Sequence, residues 1–187
     1  MIPDDWRDIK IVTILKPSKN PNEPLSYRPL AMISVIIKLI NFIIKRRLTE
    51  HIETDNMLPA YSFGFRKRTS EINCVNTFLT HVYNAKRENE VVITTFSDLS
   101  KAFDNVDIKK LLDTLDETNI PPEIINWIFN YLQKRNIILK LNNNTEIRRV
   151  TNKGLPQGCP LSPILFNLYT MKIHTLSGPK QNIVPIR

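Results

Sequence analysis

Residues 94–106 read TTFSDLSKAFDNV, and how this stretch is interpreted decides the rest of the chain. It begins inside Val91–Phe96 (VVITTF), a run rich in β-branched residues that predicts a strand. That strand would deliver Asp98 at its end, just before a turn. A carboxylate held on a rigid element at a strand terminus suits a hard divalent cation, which takes oxygen ligands near octahedral geometry and tolerates little displacement. Phe103, five residues on, can return a ring over the same surface. Taken alone, the plainer reading is the commoner one: Asp98 as a helix N-cap and Phe103 as core.

The next informative stretch is Gly154–Pro163, GLPQGCPLSP. Two glycines and three prolines in ten residues set a stiff, unusual backbone just ahead of an apolar helix expected over Ser162–Leu176. Gln157 projects from it as a polar side chain, and Gly158 lets a ligand approach the main chain where no Cβ blocks it. Alone, this too reads as an ordinary strand-to-helix turn. A third feature is basic. Lys16 and Arg28 fall near the edges of an expected hairpin, Ile9–Leu15 with Tyr27–Ile33, and Arg66-Lys67-Arg68 follows Tyr61, Phe63 and Phe65. Cations neutralise phosphates and aromatic faces stack on bases. A solvated basic loop has the same composition.

Around these segments the chain alternates helices and strands without the regular order of a doubly wound sheet, so the expected class is α+β. A helix should start after Ser34, with Ile36, Ile37, Ile40, Ile44 and Leu48 at helical spacing. Glu71–Lys86 predicts another, with Ile72, Val75, Phe78, Leu79 and Val82 on one stripe. Asp107–Glu117 and Pro122–Lys134 predict two more, and Ile137–Leu141 with Glu146–Val150 a hairpin. Gly178–Arg187 returns to loop and the start of a strand.

At 187 residues the chain amounts to one domain or part of one, and its 42% hydrophobic and 24% charged composition is that of a globular protein. Lys and Arg outnumber Asp and Glu by 26 to 18, a net charge of +8, which favours a polyanionic partner. The two cysteines and three histidines follow no ligand spacing, so neither a zinc site nor a disulfide framework is indicated. No secretory signal is visible, and the most apolar run, Val35–Ile44, is about half a membrane span. The expected setting is intracellular, nucleus or cytoplasm, with no membrane and no stable protein partner.

Together the segments resemble the reverse transcriptases of non-LTR (LINE-like) retrotransposons, especially jockey-like elements. The matching pieces are IPDDWRDIKIVTILKPSKNP, YRPLAMISVIIKLI, the FGFRKRTS loop, FSDLSKAFDNV and GLPQGCPLSPILFNLY, in that order and across nearly the whole chain. The resemblance implies a polymerase right-hand fingers/palm fragment, with fingers near 1–90 and palm near 91–187. It implies RNA-directed DNA synthesis with an RNA template, a DNA primer, dNTPs and two Mg²⁺ ions, Mn²⁺ being an alternative. Asp98 matches a catalytic, metal-binding carboxylate, with the Leu99 carbonyl facing the same ion. Lys16 and Arg28 match residues that hold the triphosphate. Phe103 matches the gate against a ribose 2′-OH, and Gln157 with Gly158 lies against the incoming nucleotide. Arg66, Lys67 and Arg68 are expected on the nucleic acid, and Asp104 is expected to be structural.

The sequence departs from the family at one point. Two-metal catalysis needs further carboxylates, supplied in the family by an aromatic-x-Asp-Asp hairpin soon after the LPQG helix. The Asp-Asp pair here is Asp4-Asp5, and no acidic residue follows Glu146. The expectation is therefore a fragment with the thumb absent, Val91–Phe96 left without its pairing strand, and no primer extension by the 187 residues alone. The alternative is a catalytically dead nucleic-acid-binding remnant of such an element.

Overall fold

The computed structural model describes residues 2–142 and 145–176. A four-stranded sheet and five α-helices make up a mixed α/β fold. Strand β1 (Asp8–Leu15) turns back through a loop ending in a short 3₁₀ turn and pairs antiparallel with β2 (Tyr27–Met32), from Lys10↔Met32 to Leu15↔Tyr27. Strands β3 (Arg135–Asn142) and β4 (Thr145–Thr151) form the second hairpin, paired from Arg135↔Thr151 to Lys140↔Glu146. The hairpins join through a parallel contact between β1 and β3, from Asp8↔Asn136 to Ile11↔Leu139, giving the order β2-β1-β3-β4. Asn136 Nδ2 donates to Asp8 Oδ1 at 2.9 Å, and Arg7 donates to the Gln133 carbonyl at 2.8 Å. These two contacts pin the start of β1 to the start of β3.

The helices are α1 (Val35–Thr54), α2 (Glu71–Arg87), α3 (Ile108–Asp116), α4 (Pro122–Leu132) and α5 (Ser162–Thr170). Proline sets the first turn of α4 and of α5, where its missing N–H removes nothing from the helix. The core lies where α1, α3, α4 and α5 meet, and includes Ile37, Leu48, Ile52, Leu111, Leu115, Ile128, Leu132, Leu165 and Leu168. Each such side chain contributes about 1.5–3 kcal/mol on burial.

In α1 the spacing is helical, as expected, but the buried line runs through Ile37, Asn41, Leu48 and Ile52, while Ile36 is exposed. The shift has a polar cause. Asn41 is fully buried, accepts from Trp127 Nε1 at 2.9 Å and donates to Cys159 Sγ at 3.4 Å. Because both ends of its amide are satisfied, it sits inward without the penalty of an unpaired polar group.

Two expectations fail. Val91–Phe96 forms no strand; Val91 and Ile93 are 90% and 89% exposed, and among the described residues none pairs with their backbone. Strand propensity is realised only through a ladder and a packed face, and this segment has neither. On α2 the expected stripe remains largely exposed at Ile72, Val75 and Leu79, and the residue it buries is Cys74. The loop and strand start expected over residues 178–187 lie outside the described residues.

Asn41→Ala is expected to lower the unfolding free energy by about 2–4 kcal/mol, since it opens a cavity and strands the Trp127 N–H. The measurement is a urea midpoint shift at unchanged slope. A loss under about 0.5 kcal/mol would mean that solvent replaces the amide.

Candidate functional site

The two motif segments meet, main chain against main chain. Gly154 N–H donates to the Val106 carbonyl at 2.9 Å, and Leu155 N–H donates to the Phe103 carbonyl at 2.8 Å. Gly154 has φ +76°, and a Cβ there would stand 2.8 Å from the Asp104 carbonyl oxygen, so only glycine allows this approach. Further along the turn, the Gln157 carbonyl accepts from Ala31 N–H at 2.8 Å, which docks it on the outer edge of β2. Gly158, at φ +100°, lies under Leu30 and the Ala31 carbonyl. Ser162 Oγ donates to the Pro156 carbonyl at 2.8 Å and ties the turn to the start of α5.

The side chains follow. Gln157 Nε2 donates to Asp104 Oδ1 at 3.1 Å, which fixes which way its amide faces. The neighbouring Phe103 ring stacks on Phe166 of α5 with centroids 5.1 Å apart, so it is half-buried and held at the rim of the core. Asp104, expected to be structural, is the acceptor of that bond. Phe103, Asp104, Gln157 and Gly158 are thus brought together, beside the strand that carries Arg28.

Asp98 arrives differently from the expectation. It lies on the unpaired 91–99 segment, exposed together with Leu99, and not at the end of a sheet strand. Downstream the chain tightens into a turn, with Lys101 at φ +52° and Asn105 N–H donating to the Lys101 carbonyl at 3.0 Å. The capping role open to Asp98 falls instead to Asp107, whose Oδ1 accepts from the Lys109 and Lys110 amides at 2.9 and 3.3 Å. Among the described residues no three His, Cys, Asp or Glu side chains gather as a metal-holding group.

The basic residues divide by environment. Lys16 follows β1 and donates through Nζ to the Leu25 carbonyl at 2.9 Å, while Arg28 stands exposed on β2 opposite Ile14. Arg66 is committed internally. It meets Glu53 through two bonds, at 3.1 and 2.6 Å, and donates to the Pro59 carbonyl at 2.9 Å. That places it as a strut between α1 and the 59–70 loop, while Lys67 and Arg68 remain exposed. The Arg66 hydrogen bonds hold the Glu53 carboxyl below the usual range, against a smaller opposing effect of burial, and Glu53 raises the Arg66 guanidinium in turn. A surface depression lined by Arg47, Glu50, His51, Thr54 and Glu123 lies elsewhere, between α1 and the start of α4.

Residues 14–179 match the family model described as reverse transcriptase (RNA-dependent DNA polymerase). The probable RNA-directed DNA polymerase from transposon BS of Drosophila melanogaster is 31% identical over 168 residues, covering 90% of this chain and 18% of that protein. The RNA-directed DNA polymerase from the mobile element jockey of the same organism is 25% identical over 175 residues, 92% of this chain and 19% of that protein. A Pol polyprotein from the type-1 retrotransposable element R2 of Nasonia vitripennis is 30% identical over 162 residues, 83% of this chain and 15% of that protein. The chain therefore spans under a fifth of the length of each of these relatives.

Two outcomes are expected. Gly154→Ala should cost about 2–4 kcal/mol, the left-handed penalty plus displacement of the Asp104 backbone. A thermal midpoint unchanged from the parent chain would contradict the close approach. Glu53→Gln should cost about 0.5–1 kcal/mol at pH 7 after solvent screening. Because the folded pKa lies below the unfolded one, that contribution is complete above about pH 4.3 and fades as pH falls through the lower folded value. Equal losses at pH 3 and pH 7 would show that charge plays no part.

Proposed function

This chain belongs to the reverse transcriptase (RNA-dependent DNA polymerase) family, and from that membership we propose that it serves RNA-templated DNA synthesis by a non-LTR retrotransposon. The reaction is in-line attack of a primer 3′-oxygen on the α-phosphorus of a dNTP, with pyrophosphate leaving. The observation that carries the reading is the docking of the GLPQG turn. It contacts the Phe103–Asp104 turn on one side and the edge of β2 on the other, so elements far apart in sequence share one surface.

Each candidate residue has a part that its chemistry supports. Lys16 and Arg28 neutralise the triphosphate, Arg28 with a planar fork suited to paired oxygens. Phe103, braced by Phe166, presents a rigid ring edge to the sugar and crowds a 2′-hydroxyl. Gln157, its amide oriented by Asp104, lies with Gly158 against the incoming nucleotide. Lys67 and Arg68 attract the primer–template backbone without reading its sequence. In this proposal the fingers are residues near 1–90 and the palm lies beyond.

A divalent cation belongs to this chemistry, and the donors available suit it in type, although Asp98 lies on an unpaired segment and not on a rigid strand end. Asp98 offers a solvent-facing carboxylate and Leu99 a main-chain carbonyl, both hard oxygen ligands. Mg²⁺ keeps several waters and is commonly held by one or two carboxylates plus substrate phosphates, so this set is compatible with it, and Mn²⁺ accepts the same donors. Such an ion would supply charge neutralisation at the phosphates.

The test is binding by the 187-residue chain. Association with an RNA–DNA primer–template should weaken with salt, and each of Lys67→Ala and Arg68→Ala should lower the log–log slope by about 0.7–0.9. Lys16→Ala and Arg28→Ala should each weaken Mg²⁺–dNTP binding about tenfold. Asp98→Ala should remove the Mg²⁺ dependence of that binding. Salt-independent association, or dNTP affinity indifferent to all three substitutions, would defeat the reading.

A further inference from the structure

Arg135, at the first position of β3, is 2% exposed, and among the described residues no carboxylate pairs with it. In the sequence Arg135 simply falls between the helix expected to end at Lys134 and the strand expected to start at Ile137. Two of its guanidinium nitrogens donate to main-chain carbonyls. Nε donates to Leu132 at 3.0 Å, and one terminal nitrogen donates to Lys153 at 2.8 Å and Gly154 at 2.6 Å. The first acceptor lies at the C-terminus of α4, where a cation complements the exposed carbonyls. The other two open the GLPQG turn.

We propose that Arg135 is a positioning residue for nucleotide binding, acting by clamping the carbonyl side of the turn that presents Gln157. The inference rests on the role given above to Gln157. The amide side of the same turn is held by the Val106 and Phe103 carbonyls, so Gly154 is gripped from opposite sides. Burying a guanidinium is costly, and burial pushes this one below its ordinary range, with the nearby Tyr131 and Cys159 opposing. Packing alone could be met by an apolar side chain of similar volume. What an apolar side chain cannot do is donate from one nitrogen to the Lys153 and Gly154 carbonyls while Nε, in the same rigid plane, holds the Leu132 carbonyl of α4. Displacement of such a turn by about 1 Å suffices to misplace a substrate contact.

The experiment uses the 187-residue chain with Arg135→Met and Arg135→Lys. Amide hydrogen exchange is followed at Gly154, Leu155 and Ala31, with Leu111 in α3 and Cys74 in α2 as controls. Dissociation constants are measured for Mg²⁺–dNTP and for an RNA–DNA primer–template. For Arg135→Met the three turn-linked amides should exchange about tenfold faster, with the controls within about twofold. Its dNTP affinity should fall about tenfold while duplex affinity holds within about twofold. Arg135→Lys, which lacks the rigid plane that joins the Leu132 carbonyl to those of the turn, should show a smaller change of the same pattern, and it decides the matter if the Met variant does not fold. Exchange rising equally at the controls, no rise at the turn, or parallel loss of dNTP and duplex affinity would each overturn the proposal. If the parent chain binds no dNTP, the functional reading of the site fails. The exchange data then still decide whether Arg135 clamps the turn.

Discussion

The contact on which the rest of this structure depends is the pair of main-chain hydrogen bonds from Gly154 and Leu155 to the 103–106 turn. Gly154, Leu155 and Val106 are buried, so leaving their groups unpaired would cost their desolvation, not the small net value of an average hydrogen bond. The same turn reaches β2 through Gln157, α5 through Ser162 and, next to it, α1 through the Asn41–Cys159 contact. Four segments, the 103–106 turn, β2, α5 and α1, therefore meet at one short, proline-stiffened stretch. The steric condition is equally narrow, because a Cβ at residue 154 has no room beside the Asp104 backbone.

Away from that hub the molecule is less closed. The helices α1, α3, α4 and α5 share an apolar core, while α2 and residues 91–99 present apolar side chains to solvent. Phe96 meets Phe78 edge to face at 6.1 Å, the ring contact that links the two. A segment such as VVITTF, β-prone, uncharged and without a pairing strand among the described residues, is also the kind of window that associates with other chains. Its exposure is a physical property of this structure and bears directly on how Asp98 is held.

Net charge overstates how many cations are available to a partner. Arg66 and Arg135 are both turned inward, one against a carboxylate and the other against three carbonyls, and Arg7 is largely buried against Gln133. Their work is to hold segments together. Lys67, Arg68 and Arg28 keep their charge in solvent, where it acts at a range set by salt. Only environment separates the two groups.

The sequence by itself determined the order and type of nearly every element. Helical spacing in 35–54 and 108–132, proline at helix starts and the asparagine-rich break between β3 and β4 are local signals, and local physics honours them. It also carried the resemblance to the family, since FSDLSKAFDNV and GLPQGCPLSP are legible as written, and the structure brings residues 103–106 of the one against 154–155 of the other. What it could not determine depends on long-range partners. Val91–Phe96 has the composition of a strand, but a strand exists only beside another. The α1 stripe was displaced onto Asn41 by acceptors and donors 86 and 118 residues away. Arg66 and Arg135 look like surface cations until Glu53 and the Gly154 carbonyl are placed beside them. Periodicity reports which face of an element is apolar, whereas hydrogen-bond partners and burial of charge are settled only when distant backbone is brought within about 3 Å.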